Sequence, residues 1–139
     1  MTTPLWCLLG FASWSMVLVI AVGAARVARV LAGKQSANSF PSGQQHGGDR
    51  YWRLNRAHMN AVENLPIFGA IVVTGHLAGF ARGAFATAAI VVVCARVAQS
   101  LIHIASNTNT AVNLRFTAYC AQLGACAYMI VTIVTSSRA

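Results

Sequence analysis

The sequence Arg56-Ala57-His58-Met59-Asn60-Ala61-Val62-Glu63-Asn64-Leu65-Pro66 leads directly into the apolar segment Ile67–Val73. On a helix each residue turns the axis by about 100°, so Arg56, Asn60 and Glu63 share one narrow stripe, and Arg53 lies close to it. A charge at the centre of a membrane helix costs about 2.5–3.5 kcal/mol on insertion scales, so such groups are expected to face a protein interior or a wet cavity. The stripe alone fits a structural clamp between helices and a binding site equally well.

The composition is that of an integral membrane protein. Of the 139 residues, 57% are hydrophobic and only 9% are charged, and the mean hydropathy is +0.61. A soluble domain averages about a quarter charged residues. The formal net charge of +8 would suit a nucleic-acid partner, but the basic residues lie beside apolar runs rather than on a soluble face. We therefore expect one membrane domain over residues 1–139 and no nucleic-acid binding.

Apolar runs separated by polar connections predict four transmembrane helices, at about residues 5–30, 50–78, 84–106 and 111–135. The polar segment 34–49 is predicted to be a loop, and Asp49 is the expected N-cap of the second helix. Pro66 should kink that helix, because it lacks an N–H and clashes with the preceding turn. No positive charge precedes the first run, so we interpret it as a retained helix rather than a signal peptide.

The distribution of Lys and Arg predicts the orientation of these helices. The second connection holds only Arg82 and the C-terminal tail only Arg138, whereas six basic residues occupy or flank the first connection. The positive-inside tendency then places the first and third connections in the cytoplasm and both termini outside it. The six residues are Arg26, Arg29, Lys34, Arg50, Arg53 and Arg56.

Two further polar stripes are predicted on the third and fourth helices. The third carries Arg96, Gln99, Ser100 and His103, and the fourth carries Arg115, Tyr119 and Gln122, in both cases at helical spacing. Arg96 needs a counter-charge in the membrane, and an Arg96–Glu63 pair is the simplest structural role for both residues. Arg115 lies near a helix start. Instead of lining a site, it could therefore simply extend its guanidinium group to the membrane surface.

Taken together, the stripes carry an excess of positive charge near the cytoplasmic side. Arg53, Arg56, Arg96 and Arg115 are opposed by a single acid, Glu63. A pocket lined by one sign of charge attracts a ligand of the other sign. The sequence therefore predicts a site for an anionic ligand between the helices.

The four cysteines, Cys7, Cys94, Cys120 and Cys126, lie in apolar segments without a C-x-x-C pair, and the histidines are not spaced for zinc. We interpret the cysteines as small buried hydrophobic residues and predict no metal site.

The opening stretch resembles the second-helix signature of the MAPEG family (membrane-associated proteins in eicosanoid and glutathione metabolism). Its pattern, Arg56-Ala57-His58-x-Asn60-x-x-Glu63-Asn64-x-Pro66, is most similar to the branch that contains microsomal glutathione transferase and prostaglandin E synthase. The resemblance implies an all-α bundle of four transmembrane helices, a homotrimer, and glutathione bound between helices of neighbouring subunits. Small residues such as Gly69, Gly75 and Gly124 would allow the close helix contacts of such an assembly.

The resemblance also assigns roles to individual residues. Within the quoted stretch, the resemblance implies that Arg56, Asn60 and Glu63 contact glutathione. Arg96-Val97-Ala98 resembles the third-helix Arg-Val-Ala of the family. Gln99 and His103 then occupy positions that are often His and Tyr in the prostaglandin synthase branch.

On the fourth helix, Arg115 and Tyr119 resemble the arginine that activates the thiol and its accompanying tyrosine. Arg115 is thus the predicted catalytic residue. With Arg53 added from the charged stripe, the predicted glutathione-binding residues are Arg53, Arg56, Asn60, Glu63, Arg96, Gln99, His103 and Tyr119.

The implied activity is that of a membrane-bound, glutathione-dependent transferase or peroxidase acting on lipophilic electrophiles or hydroperoxides from the bilayer. Three residues depart from the family pattern: Trp52 replaces an acid of some members, and Met59 and Phe116 replace a basic residue and a serine of the prostaglandin synthase branch. The first loop also offers no clear acidic partner for Arg115. These departures argue against prostaglandin isomerisation.

Two other functions remain open at this point. One is a non-catalytic membrane protein that binds lipid or glutathione. The other is a small four-helix multidrug transporter, which is less favoured because the first helix lacks an acid for proton coupling.

Overall fold

The computed structural model describes residues 1–41 and 44–136. These residues form four α-helices and no strand: α1 (Thr3–Leu31), α2 (Asp49–Leu77), α3 (Gly83–Ala105) and α4 (Asn109–Ser136). The predicted all-α, four-helix architecture is therefore confirmed. Arg138, which entered the prediction of orientation, lies outside the described residues.

Within the described chain, three helices are long and apolar enough to cross a membrane, namely α1, α3 and α4. The helix α2 is not among them, because its first half carries the charged stripe of Arg53, Arg56 and Glu63. Its apolar part is confined to the second half, around Ile67–Val73. The placement of α2 in the membrane therefore depends on the helices around it rather than on its own hydropathy.

The helices α2 and α3 lie at the centre of the packing. Each contacts the three other helices, whereas no Cα atoms of α1 and α4 come within 8 Å of each other in the described residues. Small buried residues of α3, among them Ala88 and Ala89, allow its neighbours to approach closely. The ring centroids of Phe11 on α1 and Phe68 on α2 are 5.6 Å apart and form one part of the shared core.

One glycine of α2 is required by this packing. A Cβ atom at Gly75 would collide with the ring of Phe85, a side chain that is only 3% exposed. Gly75 therefore serves the contact between α2 and α3 within the chain, whereas its small size had predicted a role in the contact between subunits. At Gly124, by contrast, a Cβ atom would meet no described atom within 4 Å.

The helix starts differ from the prediction in one respect. Gly48, in extended conformation, is the N-cap of α2, and Asp49 is the first helical residue, so the expectation that Asp49 caps the helix is wrong. Its carboxylate still lies in the first turn, where the helix dipole favours negative charge. The helix α4 begins after Thr108, whose hydroxyl accepts a hydrogen bond from the backbone N–H of Ala111 at 3.3 Å.

We expected all four cysteines to be buried, but the structure shows otherwise. Cys126 is buried and Cys7 is half-buried, but Cys94 and Cys120 are exposed on the surfaces of α3 and α4. In a membrane protein an exposed helix face meets lipid or another subunit, so an apolar sequence does not by itself place a residue in the core.

Candidate functional site

A polar cavity of about 460 Å³ opens where α2 and α4 begin and α3 ends. Its volume lies within the range of about 300–1,000 Å³ that is usual for small-molecule sites. The lining residues are Gln45, Asp49, Trp52, Arg53, Arg56, His103, Asn107 and Arg115. Four of the nine predicted site residues thus come together in it, namely Arg53, Arg56, His103 and Arg115.

The helix α2 supplies half of this lining from its first two turns. The lining residues of α2 lie on one helix face, because they occupy positions i, i+3, i+4 and i+7. They are Asp49, Trp52, Arg53 and Arg56. Arg53 is also held by a hydrogen bond, because its Nε donates to the backbone oxygen of Ile104 at 3.1 Å. That carbonyl belongs to the last turn of α3, whose free carbonyl groups attract a cation.

The other two helices contribute one charged or titratable side chain each. His103 comes from the last turn of α3 and Arg115 from the second turn of α4. The guanidinium groups of Arg53, Arg56 and Arg115 all lie within electrostatic range of the His103 ring. The cavity therefore concentrates positive charge around one imidazole.

Asp49 is the one acid among the described lining residues. It lines the same cavity as Arg115. Three arginines and one aspartate leave the cavity with a net charge of two positive units when His103 is neutral. This arrangement suits a ligand that carries carboxylate groups as well as an ammonium group.

A second set of polar side chains lies about two helical turns further along α2 and α4 from the lining residues of the cavity. The amide of Gln122, a residue that is 2% exposed, donates to the Oδ1 atom of Asn64 at 3.3 Å and links α4 to α2. Asn64 in turn donates to the backbone oxygen of Asn60 at 2.9 Å. These bonds fix the middle of the stripe on α2 against α4.

The predicted Arg96–Glu63 pair is not formed within the described chain. Glu63 is exposed on the surface, whereas Arg96 is 1% exposed and buried in the bundle. In the part of the chain that the structure describes, the Nε and Nη2 atoms of Arg96 have no hydrogen-bond partner. The guanidinium carbon lies 5.7 Å from the centre of the Phe11 ring, so the buried cation faces an aromatic ring, and Glu63 acts on it only at longer range.

The remaining predicted site residues lie outside the cavity. Asn60 and Gln99 are half-buried, and Glu63 is exposed. Tyr119 on α4 is 37% exposed. Of the predicted residues, therefore, Asn60, Glu63, Arg96, Gln99 and Tyr119 do not line this cavity in a single chain.

Sequence reasoning missed Gln45 and Asn107 as lining residues and gave Asp49 and Trp52 other roles. The two α2 residues could have been found, because they precede Arg53 and Arg56 on the same helical face. Gln45 and Asn107 lie in the connections before α2 and α4, where no periodic pattern indicates which side chain enters a cavity.

The model of the MAPEG family matches residues 3–135, which is nearly the whole chain. No curated protein matches the chain.

Proposed function

The chain belongs to the MAPEG family, and on that basis we propose that it is a membrane-bound glutathione transferase or peroxidase. Its substrates would be lipophilic electrophiles or hydroperoxides that arrive from the bilayer. Family membership supports an integral membrane protein with a glutathione- or eicosanoid-related function. The finer assignment to the branch of microsomal glutathione transferase and prostaglandin E synthase belongs to the proposal.

The observation that carries the proposal is the charge balance of the polar cavity. With its thiol ionised, glutathione carries two carboxylates, one ammonium group and one thiolate, a net charge of two negative units. The cavity offers three guanidinium groups and one carboxylate, which is the complementary set. Charged hydrogen bonds of this kind contribute about 1.5–3 kcal/mol each.

This complementarity suggests a role for each charged side chain. Arg53 and Arg56 would bind the two carboxylates of glutathione, because a guanidinium offers a planar pair of donors to a carboxylate. Asp49 would accept a hydrogen bond from the ammonium group. Arg115, the lining residue that α4 contributes, would then interact with the sulfur of glutathione.

Arg115 would promote the reaction by stabilising the thiolate. A free thiol has a pKa near 8.5, so only a few per cent is ionised at neutral pH. A nearby guanidinium favours the charged form, and each pKa unit corresponds to about 1.4 kcal/mol. Since arginine cannot give up its proton, Arg115 would stabilise charge and would not act as a base.

The predicted homotrimer supplies a reason for the residues that lie outside the cavity. Glu63 and Tyr119 are both exposed in the single chain, and Gly124 leaves open space on α4. A neighbouring subunit packed on these surfaces would bring Glu63 and Tyr119 to the edge of a shared site. Exposed polar residues in the membrane face a partner or a wet cavity rather than lipid.

Equilibrium binding of glutathione to the purified protein tests the proposal. Isothermal titration should give saturable binding, and Arg56→Gln should weaken it about tenfold or more, since it removes a charged hydrogen bond. Arg82→Gln is the matched control, because Arg82 is exposed in the turn before α3, at the other end of α2. Equal affinities of wild type and Arg56→Gln would remove this cavity from consideration.

The assay also separates the alternative functions. Binding without turnover of a generic electrophile or hydroperoxide would support a non-catalytic binding protein. Absence of binding, together with proton-coupled efflux in vesicles, would support a transporter. The mass of the protein in mild detergent, measured by light scattering, is expected to be that of a trimer.

A further inference from the structure

A second groove lies between α1 and α2, away from the polar cavity. Its volume is about 380 Å³, and it extends along α1 from Arg26 to Val19 beside Asn55, His58 and Met59 of α2. His58 follows Arg56 by two residues and therefore points to the other side of α2 from the charged stripe. None of these groove residues lines the polar cavity.

The end of the groove at Arg26 is suited to an anion. The Nε of Arg26 donates to the hydroxyl of Tyr51 at 2.8 Å, and its guanidinium carbon lies 5.3 Å from the centre of the Phe40 ring, so both contacts orient the guanidinium at this end of the groove. The His58 ring lies within electrostatic range of Arg26. Among the described lining residues there is no carboxylate that could neutralise these groups.

Asn55 adds a buried polar group to this end of the groove. It is only 8% exposed, and the bond that its amide donates is a weak one, to the sulfur of Met59 at 3.7 Å. Methionine sulfur is a poor acceptor, and a buried polar group without a good partner is costly. A ligand oxygen beside Asn55 would satisfy that amide.

The rest of the groove is apolar and lies within the membrane-spanning part of α1. Val19, Val22 and Gly23 form its wall, and a Cβ atom at Gly23 would meet no described atom within 4 Å. From Val19 to Arg26 the helix rises about 10 Å. That length suits the first part of an acyl chain below its headgroup.

We propose that this groove binds one anionic phospholipid from the surrounding leaflet. Arg26, Asn55 and His58 hold the phosphate, and one acyl chain begins along Val19, Val22 and Gly23. Basic pockets between transmembrane helices are a recognised form of lipid headgroup site. A free anion would leave the apolar wall unused. A zwitterionic lipid carries the same phosphate but adds a quaternary ammonium group, for which the described lining offers no carboxylate, so Arg26 and His58 favour a lipid with net negative charge. The proposal is independent of glutathione binding.

Native mass spectrometry of the detergent-solubilised protein tests the proposal. Phosphatidylglycerol and phosphatidylcholine with identical acyl chains are titrated separately into wild type and three variants. Gly23→Leu fills the apolar part without changing charge, and Arg26→Gln removes the headgroup contact. Gly10→Leu is the matched control, because Gly10 is also on α1 with no described atom within 4 Å of a Cβ atom.

Wild type and Gly10→Leu should retain phosphatidylglycerol about tenfold more tightly than phosphatidylcholine. Gly23→Leu should weaken the retention of phosphatidylglycerol, and Arg26→Gln should abolish the preference. Equal retention of both lipids by wild type, or unchanged retention by folded Gly23→Leu, would overturn the proposal.

Displacement of phosphatidylglycerol by equimolar oleate or by glycerol phosphate would also overturn it, in favour of a fatty acid or a free phosphate. So would a change of oligomer mass in Gly23→Leu at unchanged lipid retention, which would show that a neighbouring subunit covers the groove.

Discussion

The guanidinium carbon of Arg96 lies 5.7 Å from the centre of the Phe11 ring, and both side chains are buried in the bundle. A desolvated cation–π contact of this type contributes about 2 kcal/mol. That is less than the penalty of several kcal/mol for burying an unpaired cation. The contact between α1 and α3 therefore contains a charge that is only partly compensated within the described chain.

Arg96→Met should consequently leave the protein as stable as wild type or stabilise it. An apolar side chain of similar length avoids the cost of desolvating the cation. Thermal unfolding in detergent, followed by circular dichroism, measures this. A loss of about 3–5 kcal/mol would contradict it, since a loss of that size is typical of breaking a buried ion pair.

Phe11→Leu should be more destabilising in the wild-type background than in Arg96→Met. The two single variants and the double variant form a thermodynamic cycle, whose coupling energy isolates the cation–ring contact. We expect a coupling of about 1–2 kcal/mol. Additive effects of the two substitutions would show that the ring only fills space.

Gly75→Ala should destabilise the contact between α2 and α3 by about 1–3 kcal/mol, because the added methyl group collides with the buried Phe85 ring. Gly69→Ala is the matched control on the same helix. Its Cβ atom would lie 3.7 Å from a methyl group of Leu8, which is ordinary contact, so the gain in helix propensity should dominate. Similar unfolding temperatures for the two variants would contradict the packing argument.

Glu63→Gln should leave the unfolding temperature of the protein nearly unchanged. A buried Arg96–Glu63 ion pair would make the loss of Glu63 cost about 3–5 kcal/mol. The exposed position of Glu63 removes the reason to expect that cost. If a neighbouring subunit completes the site, the affinity for glutathione should fall while stability does not. Unchanged affinity in the trimer would exclude Glu63 from the site.

Arg115→Ala should raise the pKa of bound glutathione and slow the reaction more than it weakens binding, since Arg115 would interact more strongly with the thiolate than with the thiol. Arg115→Lys keeps the charge but loses the planar fork, so it should recover only part of the rate. Thiolate absorbance against pH, at saturating glutathione, measures the effect. Identical titration curves in wild type and both variants would leave Arg115 with an interfacial role only.

The sequence predicted the number and order of the helices because their signals are local. Apolar runs, polar connections and the spacing of Arg53 and Arg56 are all properties of consecutive residues. The four residues that share the cavity were predicted in the same way, since each lies on a predicted stripe, near the start of α2 or α4 or near the end of α3.

What failed were predictions about contacts between distant parts of the chain. Arg96 and Glu63 were paired because they are opposite charges in apolar surroundings, but the side to which each points depends on how α2 rotates against α3. The burial of Cys94 and Cys120 depended on the same rotations. Periodicity defines a helix face, whereas the packing of all four helices decides what that face meets.

The unequal hydropathy of the four helices also has a consequence for biogenesis. While the chain is being made, α2 leaves the ribosome with Arg53, Arg56 and Glu63 and without the partners that later surround it. Charged residues at the centre of an isolated segment oppose insertion by about 2.5–3.5 kcal/mol each. The apolar α3 follows after a short turn, so α2 and α3 should enter the bilayer as a hairpin. Nascent chains that end soon after Leu77 should therefore leave α2 outside the membrane, whereas chains that include α3 should insert both helices.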